Sequence, residues 1–168
     1  MSDIYPAFEM SPVPRPGPDA RPPEPFRGIY GMPMFVTAPT DDLDASTDFW
    51  VRGLGFFDFF TAPGTITHLR RWAFQDVLLV PGAPAVAPGP LSVNFSCVLS
   101  EIDAIAAACE EVSPGSTTGP RLQPWGTVDL EVVTPERTRV VMTAARPWDP
   151  ASAEAQTVRE ELGFGAEA

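Results

Sequence analysis

The chain has 168 residues, 44% of them hydrophobic and 10% aromatic, enough for one domain with a packed interior. Eleven arginines, with no lysine, face 22 acidic residues for a net charge of -11, which disfavours binding to a phosphate backbone and so argues against a nucleic-acid partner. No apolar run reaches the roughly 18 residues of a membrane span, and MSDIYPAFEM lacks the basic-then-apolar order of a secretory leader, so a cytoplasmic protein without a membrane partner is expected.

Residues 1–28 carry eight prolines, which remove backbone donors and fix φ. An extended arm is expected, either a solvated tail or a strap that docks on a partner subunit through Tyr5, Phe8 and Phe26. A short strand follows at Met34–Thr37. Asp41 or Asp42 is placed to cap a helix with an acidic first turn. Leu43, Thr47, Trp50 and Leu54 fall on one face of it, and Gly53 and Gly55 end it. Strands are predicted at Phe56–Thr61, Thr65–Trp72 and Val77–Val80, separated by Pro63-Gly64 and by a short turn at Ala73–Asp76. FFDFF (56–60) reads as a strand buried on both faces.

The same order then recurs. Leu91–Leu99 reads as a strand and Ser100 as a helix cap, with Ile102, Ile105, Ala106, Cys109 and Val112 on the apolar face. Strands are expected near Thr117–Leu122, Thr127–Val133 and Arg139–Ala144, and a last helix from Asp149-Pro150 to Gly163. The order is βαβββ twice, an α+β chain. Two such modules give a curved mixed sheet with a concave trough on its inner faces. The divisions are an arm (1–28), a two-module domain (29–146, as modules 29–82 and 90–146) and a C-terminal helix with tail (147–168).

On the Thr65–Trp72 strand, Ile66, His68, Arg70 and Trp72 share one face. A face bearing His, Arg and Trp packs poorly against a helix, so it is assigned to the trough. Trp72 then offers a stacking plane and His68 and Arg70 polar contacts, with Phe35, Phe57, Phe59, Asn94 and Trp125 as further lining. Each has a plainer alternative: His68 as a hairpin surface histidine, Arg70 and Arg71 as a solvated pair, Trp72 and Trp125 as core or interface aromatics. Cys97 and Cys109 read as small core residues.

Three stretches resemble the vicinal oxygen chelate superfamily, which includes glyoxalases, extradiol dioxygenases and bleomycin-resistance proteins. They are Asp42-Leu43-Asp44-Ala45-Ser46 with Phe49-Trp50 and Leu54-Gly55-Phe56; His68-Leu69-Arg70-Arg71-Trp72 with Gln75-Asp76-Val77-Leu78-Leu79; and Pro124-Trp125-Gly126 through Thr134-Pro135-Glu136. The resemblance implies a divalent metal held at the first and last strands of the modules. Those positions fall here on Phe35 and Asn94 in the first strands, on Val141 in the last strand of module two and near Leu79 in that of module one, and the chain has a single histidine. Neither metal nor cofactor is therefore expected. Metal-free members imply a homodimer that binds a bulky aromatic compound, drawn in as a cation by the acidic surface, as in antibiotic self-resistance. The alternative is a metal-free isomerase, cyclase or lyase of secondary metabolism with His68 as general base and Arg70 stabilising negative charge. A metal-dependent glyoxalase- or dioxygenase-like enzyme is the remaining possibility.

Overall fold

A computed structural model describes residues 14–29, 31–32, 34–147, 149 and 151–162. Two four-stranded mixed sheets account for the β structure. The first contains β1 (Phe35–Thr40), β2 (Phe57–Ala62), β3 (Ile66–Arg70) and β4 (Asp76–Pro81) in the order β1-β4-β3-β2. The second contains β5 (Val93–Cys97), β6 (Thr117–Leu122), β7 (Thr127–Val133) and β8 (Arg139–Ala145) in the order β5-β8-β7-β6. In each, the first strand lies parallel to the last and the other pairings are antiparallel, which is the repeated βαβββ module. Among the described residues no helix is long and apolar enough to cross a membrane.

Helix α1 (Leu43–Asp48) is capped by Asp42, whose carboxylate accepts the Ala45 amide at 2.9 Å. It runs on into a π turn (Phe49–Gly53). The extra residue in that turn rotates the buried stripe, so Ser46, Phe49, Trp50, Gly53 and Leu54 face inward while Leu43 and Thr47 are only half-buried. Helix α2 (Leu99–Val112) crosses this turn closely: a Cβ on Gly53 would sit 3.1 Å from Cys109 Sγ. The core lies between the helices and the inner sheet faces. Trp50, Phe56 and Phe95 meet edge to face there, with centroids 5.0 to 6.1 Å apart.

Several local expectations change. Helix α2 starts at Leu99, and it is Glu101 that reaches back to the Val98 amide; Ser100 lies in the first turn and donates to the Ala20 carbonyl. FFDFF is not buried on both faces. Only Phe56 is fully buried, because β2 is an edge strand with one side open. Helix α3 (Ala153–Leu162) begins later than Asp149, which instead holds a turn; Ser152 Oγ accepts the Ala155 amide. Pro150 and Gly163 lie outside the described residues, as do Tyr5 and Phe8 of the arm. Residues 14–29 carry no helix or strand and lie against this chain's own sheets.

Both cysteines sit in the core, and burial pushes each thiol up to about 12. Arg71 opposes this at Cys97 but does not overcome burial. A thiol-reactive chromogenic disulfide is expected to label neither cysteine in the folded protein at mildly alkaline pH, and both after denaturation. Rapid stoichiometric labelling of the native chain would show that one is accessible.

Candidate functional site

The face of each sheet turned away from the helices is open, and each carries its own cavity. In module one that face carries Phe35 and Thr37 of β1, Asp76 and Leu78 of β4, and Ile66, His68 and Arg70 of β3. β2 adds more than strict alternation allows. A bulge between Asp58 and Phe60 interrupts its pairing with β3, so Phe57 stays opposite Arg70 and Phe60 opposite His68. The extra residue, Phe59, lies with its ring 5.0 Å from the His68 ring and 4.3 Å from the Arg70 guanidinium. A cavity of about 660 Å³ is lined by Phe59, Phe60, His68 and Arg70 together with Arg27, Ile29 and Met32.

Beneath this cavity lies a buried charge cluster. Asp76 Oδ1 accepts His68 Nε2 at 2.6 Å and Arg70 Nε at 2.8 Å. Asp76 and Arg70 are almost wholly shielded, at 0% and 1% side-chain exposure, whereas His68 keeps 13%. Arg70 also donates through Nη1 to the carbonyls of Phe26 and Gly28, which fastens the arm across the sheet. Its guanidinium is thus committed to Asp76 and the backbone, which leaves the stabilising of ligand charge to another group.

Module two supplies a second, more polar cavity of about 330 Å³, lined by Asn94, Arg121, Trp125, Asp129, Glu131 and Arg139 among others. Glu131 and Arg139 form an ion pair, and Thr127 donates to Asp129 at 2.9 Å. Trp125 is 55% exposed. The arm reaches this sheet too: Pro14, Arg15, Pro16 and Ala20 lie against Ser96, Thr143 and Ala145 at its other end.

The expected site residues therefore fall into two groups. His68, Arg70 and Phe59 line the first cavity, Phe57 adjoins it through its ring contact with Phe59, and Phe35 lies on the same face beside Asp76. Asn94 and Trp125 line the second. Trp72 stands apart. β3 ends at Arg70, so alternation stops there, and Trp72 is buried in the following turn beneath the Arg71 guanidinium. Arg71 is no solvated partner of Arg70. It joins the modules through Ser96 O and Glu101, both at 2.8 Å. Asp76 is readable in the sequence as one of several carboxylates, with Asp58, Asp129 and Glu131, that could serve His68 as a second acid–base group, whereas nothing in the sequence singles out Arg27.

No family model matches the chain, and no curated protein does. Solved structures do match its fold. A fosfomycin resistance protein FosX from Listeria monocytogenes, in complex with Mn(II) and sulfate, shares 13% identity at a TM-score of 0.57, over 80% of this chain and 100% of that one. A glyoxalase-related enzyme from Clostridium phytofermentans shares 17% at 0.54, over 71% and 99%. A bleomycin resistance determinant encoded on transposon Tn5 shares 22% at 0.50, over 68% and 98%.

The metal of the FosX complex raises the question of donors. Asn94 and Val141 are register partners on the open face of module two, and in module one Phe35 is the partner of Asp76, with Leu78 two residues further on; Leu79 points into the core. Among the described residues no three His, Cys, Asp or Glu side chains are gathered as a metal site. One amide, two hydrocarbons and a carboxylate already bonded to His68 and Arg70 do not offset the desolvation of a divalent cation, so these residues do not fit one. Two βαβββ modules, their sheet orders and the matching solved structures together give this chain the vicinal oxygen chelate fold.

Proposed function

We propose that the protein binds a bulky aromatic small molecule in the trough without a metal, in the manner of antibiotic sequestration. The observation that carries this is the module-one cavity, whose volume of about 660 Å³ is drug-sized and whose walls combine Phe59, Phe60, Met32 and Ile29 with the polar tips of His68 and Arg27. Burying apolar ligand surface there contributes about 25 cal/mol per Å². The similar bleomycin resistance determinant and fosfomycin resistance protein support a resistance role, although the latter is a Mn(II) complex.

The acidity of the chain does not extend into the site. Asp76 is balanced by Arg70, Glu131 by Arg139, and Arg27 adds a positive charge at the module-one cavity. The site itself thus favours a neutral or anionic aromatic, whereas the overall charge of -11 favours a cation.

Calorimetric titration with fused-ring aromatics is expected to give saturable binding, and Phe59→Ala is expected to weaken it about tenfold, the loss of one ring contact and its buried area. An unchanged affinity in folded Phe59→Ala, or no binding across the series by the folded chain, would count against the reading.

A further inference from the structure

His68 has an arrangement that ligand holding alone does not require. Its Nε2 lies 2.6 Å from Asp76 Oδ1. Because a carboxylate only accepts, Nε2 carries a proton, and in the neutral ring the lone pair is therefore on Nδ1. Nδ1 makes no hydrogen bond among the described residues, and His68 lines the module-one cavity. Asp76 is itself held by Arg70 Nε at 2.8 Å, so the imidazole is oriented by an anion that cannot swing away. The same anion stabilises the imidazolium that protonation at Nδ1 creates.

The cavity is also lined by a cation, Arg27. Arg27 is exposed, and its guanidinium lies 4.5 Å from the Phe57 ring centroid. It makes no hydrogen bond or ion pair among the described residues. Five N–H donors near an apolar wall are suited to an oxygen that gains negative charge during a reaction.

We infer that the module-one half of the trough is a metal-independent general-base centre for aromatic carbonyl compounds. His68 is the base, Asp76 its positioning residue, and Arg27 the partner of the oxygen. The step is a proton transfer. His68 Nδ1 takes a proton from the carbon next to the carbonyl; the C–H electron pair becomes the C=C bond of the enolate, and the C=O π pair moves to the oxygen facing Arg27. Return of the proton to the same carbon, or to a conjugated one, gives exchange or isomerisation with no oxidant, reductant or co-reactant. This rests on the trough binding an aromatic ligand.

The test uses 2-tetralone, an aryl-fused ketone with acidic C–H bonds, in deuterated buffer, with exchange followed by proton NMR and binding measured separately by calorimetry. The full chain is expected to accelerate exchange saturably over buffer. His68→Ala and the polar His68→Gln are expected to lose at least about 100-fold of that acceleration with binding retained. Asp76→Asn is expected to lower the maximal rate while leaving the half-saturation concentration in place, a split that a purely structural role does not produce. Arg27→Leu is expected to slow exchange without moving its pH dependence. Exchange at the buffer rate with 2-tetralone bound, or wild-type exchange by either His68 variant, overturns the base centre and leaves the binding reading standing. Failure of the folded chain to bind 2-tetralone overturns both.

Discussion

Asp76→Ala is expected to lower the free energy of unfolding by about 3–5 kcal/mol, because it strands the guanidinium of Arg70 in a site with 1% exposure. Asp76 Oδ1 accepts from both His68 Nε2 and Arg70 Nε. The cost comes from the unpaired charge, not from a large intrinsic worth of the pair. The double variant Arg70→Met/Asp76→Leu, which removes both charges and keeps volume, is accordingly expected to be more stable than Asp76→Ala. Urea unfolding of the three variants checks this through their midpoints at matched slopes. A wild-type midpoint for Asp76→Ala would mean that water already solvates Arg70. The arm reports on the same cluster: Arg70 Nη1 holds the Phe26 and Gly28 carbonyls at 3.2 and 2.8 Å, so its loss is expected to speed proteolytic cleavage between Arg21 and Arg27.

Much of this cluster is readable in the sequence, and one residue of register hides the rest. Period-two alternation puts His68 and Arg70 on one open face, and they are there. Ending the hairpin turn at Asp76 obscures that it is the first residue of β4, opposite Arg70; with the turn at 71–75 the carboxylate falls between His68 and Arg70. The same shortening of β3 removes Trp72 from the trough, since alternation means nothing beyond the last paired residue. Two insertions also escape pattern reading. The π turn brings Ser46 and Phe49 inward, and the bulge in β2 adds Phe60 to a wall that alternation assigns to Phe57 and Phe59. Neither has a residue signature of its own, because both are settled by packing against distant elements. The arm illustrates the other kind of miss. Proline density correctly excludes helix and strand over the described residues 14–29, but where an extended segment docks depends on donors elsewhere, here the guanidinium of Arg70 and the hydroxyl of Ser100.

Trp50 tests the joint between the modules, and Trp50→Ala is expected to cost about 3–5 kcal/mol. The side chain is fully buried, packs edge to face on Phe56 of its own module and Phe95 of the other, and donates Nε1–H to Glu136 Oε1 at 2.8 Å across 86 residues of sequence. Two effects combine in that figure, a cavity and a carboxylate that loses its donor, and Trp50→Phe separates them. It keeps most of the ring but removes the N–H, leaving Glu136 buried at 3% exposure, with Oε2 already lacking a partner among the described residues. An unsatisfied buried acceptor costs about 1–3 kcal/mol, so Trp50→Phe is expected to fall in that range. If that penalty is the cause, Glu136→Leu added to Trp50→Phe recovers stability, whereas Glu136→Leu in the wild-type background strands the indole N–H and does not. Additive losses in this cycle, with no recovery in the double variant, would show that the indole acts through its volume alone and that Glu136 finds water in the β7–β8 turn.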